Sequence, residues 1–120
     1  MQRNMDLIRE ILIRMEAEEH AYAPKLDIDG HTHEEIGFHV WLLGDAGLIR
    51  AHNVTSLADR SPMAVPRHLT WQGYEFLATA KNDSVWRKGT ATVMAKAGTI
   101  GFELLKAVLM AELRGQMGLP

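Results

Sequence analysis

The stretch His39-Val40-Trp41-Leu42-Leu43-Gly44-Asp45-Ala46-Gly47-Leu48-Ile49 carries a helix into a strand. Val40 and Leu43 extend an apolar face that begins at Ile36, and the helical spacing stops at Ala46-Gly47. Gly47 stands where a helix closes in the left-handed conformation, which costs a glycine nothing. Leu48-Ile49 then opens a strand toward Val54. Upstream, Thr32 or His33 is placed to cap this helix, with Glu34 and Glu35 in its first turn.

A second string, Leu69-Thr70-Trp71-Gln72-Gly73-Tyr74-Glu75-Phe76-Leu77, reverses the order, strand into helix, with Thr70 as the cap. Between the two strings lie a polar loop at 55–62 and a second strand at about 63–69, so 48–69 reads as a β-hairpin. Toward the N-terminus, Leu7, Ile8, Ile11, Leu12 and Met15 recur at helical spacing, giving a first helix over 6–19 capped by Asn4. Alternation around Leu26 and Ile28 suggests a short strand at 25–29, ending at Gly30. Toward the C-terminus, Asp83 or Ser84 caps a helix running to about Ala97, Gly98 breaks it, and a last helix covers 99–117. The domain expectation is 1–82 as one domain and 83–120 as a helical extension packed on it, together a single structural unit.

The expected fold class is α+β, mainly α. Helix, strand, helix, hairpin, helix is the order of a winged-helix domain, and the two strings resemble its junctions. Leu43 to Ile49 is similar to the L-x-x-x-G-L-I passage from recognition helix to wing, and Leu69 to Leu77 to the L-T-x-x-G-x-x-x-L exit from it. Together with Met5-Asp6-Leu7-Ile8-Arg9-Glu10-Ile11-Leu12 and Trp86 ahead of a Gly-led C-terminal helix, they make nearly the whole chain resemble an uncharacterised bacterial and prophage-associated family, one of the domains of unknown function. That resemblance implies a winged-helix-like fold and a mobile-element setting, and no activity. A full helix-turn-helix also needs a support helix. There is room for one only if residues 20–24 form a rudimentary turn.

Charge divides the chain. Residues 1–45 hold ten acids and four bases, whereas 46–120 hold nine bases and five acids, within a net charge of −2. Nucleic-acid binding therefore needs a local patch. The candidate recognition helix is not that patch: residues 33–46 contain Glu34, Glu35 and Asp45 and no Lys or Arg. The hairpin is basic, with Arg50, His52, Arg60, Arg67 and His68 opposed only by Asp59, and these are the candidate DNA-contacting residues. Arg87, Lys88 and Lys96 are candidates to extend the patch. The plainer reading of such residues is a solvated loop. On the recognition helix, Phe38, Trp41 and Leu42 leave the side away from Ile36, Val40 and Leu43 apolar too, a candidate surface for a protein partner.

Catalytic patterns are lacking. There are no cysteines, which excludes disulfide scaffolds, Cys-ligated zinc and Cys nucleophiles. Ser56, Ser61 and Ser84 sit outside any Gly-x-Ser-x-Gly elbow, and no phosphate-binding glycine loop occurs. His31 and His33 form a His-x-His pair which, with His39 and Asp27, Asp29 or Glu35, is a conceivable metal set. The favoured reading makes His39 a hydrogen-bonded core residue and leaves the others at a helix start, so no metal, no cofactor and no enzymatic activity are expected.

The acidic first twenty residues lack a signal-peptide run, and no membrane-length apolar stretch follows, so a soluble cytoplasmic protein is expected. The apolar stripe of the last helix packs either on the core or against a second copy in a homodimer, and Glu103, Lys106 and Glu112 argue against membrane insertion. Two functions follow as expectations. One is a DNA-binding transcriptional regulator of phage or prophage type that contacts double-stranded DNA through the wing. The other is a non-catalytic protein-interaction module on the same scaffold.

Overall fold

A computed structural model describes all 120 residues. The fold is α+β and mainly α, with helices α1 (Met5–Glu16), α2 (His33–Asp45), α3 (Trp71–Ala80), α4 (Asp83–Ala97) and α5 (Phe102–Gln116). Between α2 and α3, strands β1 (Ile49–Asn53) and β2 (Ala64–Leu69) form a two-stranded antiparallel sheet. The chain divides into two units, Met1–Tyr74 and Glu75–Pro120. No helix is long and apolar enough to cross a membrane.

In the first unit, α1 and α2 pack together and α2 packs on both strands of the hairpin. Leu7, Ile11 and Leu12 of α1, Val40 and Leu43 of α2 and Ile49 of β1 are fully buried, as their spacing predicts. The Asn4 side chain accepts the Leu7 N–H at 3.1 Å, as a cap should. The helix stops at Glu16 and does not reach 19. Glu16, Glu18 and Glu19 crowd its C-terminal end, where the helix dipole disfavours negative charge, and residues 17–22 are exposed, with nothing to bury.

Residues 25–29 correct the sequence reading: they form no strand. Ile28 is the segment's one buried residue, so the alternation is real, but the sheet contains only β1 and β2. The segment's links to its surroundings are individual bonds, such as Arg14 Nη1 donating to the Asp27 carbonyl at 3.3 Å. Residues 20–24 are likewise not helical, so no support helix precedes α2.

Helix α2 has a complete capping box. Thr32 Oγ1 accepts the Glu35 N–H at 3.1 Å, and the Glu35 carboxylate accepts the Thr32 N–H at 3.3 Å. Gly47 follows the helix at φ +78°, and the chain enters β1. The two strings that mark the hairpin's ends in the sequence meet in space. Thr70 Oγ1 donates to the Gly47 carbonyl at 2.6 Å and accepts the Gly73 N–H at 3.1 Å, while the Thr70 N–H reaches the Leu48 carbonyl at 3.1 Å. One threonine thus ties the end of α2, the root of the hairpin and the start of α3.

In the second unit α4 and α5 pack as a helical pair, and Phe76 meets Phe102 edge to face at 4.8 Å between centroids. Two boundaries differ from expectation. Asn82, not Asp83 or Ser84, caps α4 by accepting the Val85 N–H at 3.0 Å, and α5 begins at Phe102 behind Gly101, which offers no side-chain cap. Leu105 and Leu109 of α5 are buried, whereas Leu104, Met110 and Met117 are exposed.

Candidate functional site

The antiparallel register places the candidate residues of the hairpin. Arg50 stands opposite His68 and His52 opposite Val65, with Arg50 and His52 two apart on the exposed side of β1. Ala51, between them, faces inward and lies 3.1 Å from where a Cβ on Gly44 of α2 would stand. A bulge sits opposite Arg50 and Ala51, because Arg50 pairs with His68 and Ala51 with Pro66. Arg67 is therefore the extra residue, outside the ladder and exposed. Its carbonyl turns outward and accepts the Ala23 N–H at 2.8 Å. Beside it, the half-buried His68 ring has Tyr22 edge-on at 6.4 Å.

Arg60 belongs to the loop beyond the strands, roughly 10 Å or more from Arg50 along the hairpin. That loop is tied down by its own polar side chains. Thr55 Oγ1 accepts the Met63 N–H at 2.8 Å, Asp59 accepts the Ser56 N–H at 2.8 Å, and Ser61 donates to Glu34 of α2 at 2.9 Å. Asp59, the acid expected to oppose the hairpin cations, makes no ion pair with any of them. The side chains of Arg50, His52, Arg60 and Arg67 have neither an ion-pair nor a hydrogen-bond partner, so none of these charges is neutralised by a direct contact. Arg87, Lys88 and Lys96 belong to α4 of the other unit.

Phe38 and Trp41 stack at 6.2 Å with their rings 8° from parallel, and both, like Leu42, remain half-buried. Trp41 also lines a cleft of about 220 Å³ between α2 and β1, together with Arg50, Asp45 and Asn53. The aromatic candidate and one of the cationic candidates thus border the same cleft, a juxtaposition that spacing along the chain does not reveal.

The histidines divide. His31 Nδ1 bonds Glu35 at 3.1 Å, and that contact, with the Thr32 backbone N–H, holds the Glu35 carboxyl below the usual carboxylate range. No group of three or more His, Asp or Glu residues comes together as a metal set. His39 is fully buried, and both its ring nitrogens are committed. Nδ1 donates to the Glu35 carbonyl at 2.7 Å, which leaves Nε2 to accept the Asn4 N–H at 2.8 Å. In a capping box that last bond would come from the third helical residue, but in α1 this is Leu7. His39, from another helix, completes the cap of α1.

Burial is the main reason why His39 titrates below its ordinary value of 6.5, and the Glu35 carbonyl pulls the other way. The unfolded chain takes up this proton first as pH falls, so the stability His39 supplies is present above 6.5 and is lost on descent through its lower folded-state value. Urea unfolding at pH 7 and pH 5 checks this. His39→Leu is expected to lose about 2 kcal/mol at pH 7, the cost of a buried N–H left unsatisfied. It should then show a flatter decline toward pH 5 than the parent, and equal slopes would refute the account.

No solved structure matches this chain. A protein of Haemophilus influenzae, itself described as uncharacterised, is 40% identical over 111 residues, which cover 90% of this chain and 92% of the relative. Residues 2–99 match the family described as Hypothetical protein (DUF2513). That match spans α1, α2, the hairpin, α3 and α4, and by it the chain belongs to the DUF2513 family.

Proposed function

We propose that this protein is a winged-helix DNA-binding protein, a transcriptional regulator of phage or prophage type. It grips the duplex backbone and minor groove through the β1–β2 hairpin. The observation that carries this reading is the set of exposed, unpaired Arg50, Arg60 and Arg67 side chains on a hairpin whose loop is ordered by its own hydrogen bonds. An ordered basic hairpin presents charge to phosphates at little conformational cost. In this reading α2 stays out of the major groove, since Glu34, Glu35 and Asp45 would repel phosphates. The protein acts by binding, in the cytoplasm, with no cofactor and no catalysis.

Fluorescence anisotropy of a labelled duplex tests the proposal. With three phosphates neutralised, affinity should fall about 40-fold between roughly 50 and 200 mM salt. Micromolar or tighter binding at the lower salt is expected, and no binding there overturns the proposal.

A second reading rests on the stacked, half-open Phe38–Trp41 pair on a helix without cations. As a protein-interaction module, the chain would seat a partner on Phe38, Trp41 and Leu42. Trp41→Ala should then keep the fold and lose a co-purifying protein. Retention of that protein by the folded variant counts against this reading.

A further inference from the structure

The first unit contains a larger opening than the Trp41 cleft, on the opposite side of the strands' pairing, where the segment that fails to become a strand faces β2. It is a cavity of about 360 Å³, floored by Ile36 and Val40 of α2 and walled by Leu26 on one side and Met63 and Pro66 on the other. This volume lies in the lower part of the range of small-molecule sites, about 300–1,000 Å³. Its lining is predominantly apolar. Two polar side chains break that lining, Lys25 and His33. Neither makes an ion pair or a side-chain hydrogen bond, and Asp27 and Asp29 of the same segment do not line the cavity.

We propose that this cavity is a binding site for a small apolar carboxylate, with its hydrocarbon part between Leu26 and Pro66 and its carboxylate at Lys25 and His33. The chemistry selects the class. An apolar trough rewards a hydrocarbon chain by removing its surface from water. Lys25 is the one lining residue with a formal charge, and its ammonium has no partner, which favours an anion over a neutral or cationic head. The wall formed by residues 23–26 is joined to β2 by a backbone bond from the Ala23 N–H to the Arg67 carbonyl, so it can adjust to an occupant without dismantling a sheet. The proposal does not depend on DNA binding, and neither does its test.

Calorimetric titration of the full chain with decanoate, and separately with methyl decanoate, is the experiment, with ¹⁵N-resolved amide shifts to locate the site. Saturable 1:1 binding of decanoate is expected below its micellar range, with shifts at residues 23–26 and 65. The neutral ester should bind about fivefold more weakly, the worth of one partly screened ion pair. Lys25→Ala, at an exposed position, should erase that preference, and Leu26→Trp, at a half-buried position in the wall, should fill the trough and remove binding of both probes. The proposal is overturned by non-saturating uptake, by shifts elsewhere, by equal binding of acid and ester, or by a Lys25→Ala variant that keeps the preference. A folded Leu26→Trp variant with parental affinity also overturns it.

Discussion

Replacing Arg50, Arg60 and Arg67 together with glutamate is expected to abolish duplex binding, a loss of more than about 100-fold near 50 mM salt. The three positions exchange three positive charges for three negative ones, taking the formal net charge from −2 to about −8 and turning phosphate attraction into repulsion. The side chains have no partners to lose, so the change should leave the thermal midpoint nearly unmoved. Single Arg→Ala variants separate the contacts: each true phosphate ligand should lower the slope of log affinity against log salt by about one. Arg67 is the most informative single position, because the bulge, not strand alternation, sets where it points. Anisotropy at two salt concentrations reads all of this, and unchanged affinity in the folded triple variant would eliminate the hairpin as the grip.

What could be read from the sequence was what local chemistry decides. Asn4 and Thr32 cap their helices because a short polar side chain satisfies an amide three residues on, a rule that needs no tertiary partner. Gly47 and Gly98 end helices at positive φ for an equally local reason. The 25–29 segment failed because alternation states which side of a chain is apolar, not whether another strand lies alongside. At the site, the residue types were legible and their arrangement was not. Nothing in the spacing announces the bulge that frees Arg67, the approach of Trp41 to the Arg50 cleft, or Tyr22 on His68. His39 was legible as a core residue from its apolar surroundings, yet its role as a cap for α1 depends on Asn4, which precedes a different helix. The cavity beside Lys25 escaped for the same reason as the missing strand, since it is the space that the unpaired segment leaves open.

Gly73→Ala should be among the most damaging single substitutions in the first unit, although alanine is the better helix former by about 1 kcal/mol. Gly73 lies in the first turn of α3, and a Cβ there would drive into the backbone carbonyl of Leu48 and stand 3.1 Å from Leu69 Cδ2. A backbone oxygen cannot rotate away as a side chain can, so the first turn of α3 must shift. That shift pulls on the three bonds by which Thr70 holds the Gly47 carbonyl, the Leu48 carbonyl and the Gly73 N–H. Overpacking together with weakened part-buried hydrogen bonds should cost about 3 kcal/mol, seen as a fall of about 10 °C or more in the thermal midpoint. Gly115→Ala supplies the contrast, because that glycine is also helical but faces open space at an ordinary φ. There the helix propensity acts unopposed and a gain of up to about 1 kcal/mol is expected. A Gly73→Ala protein within about 0.5 kcal/mol of the parent would mean that the joint between α2, the hairpin and α3 tolerates separation. The Leu-Thr-x-x-Gly string would then have to be explained by something other than the close approach of Leu48.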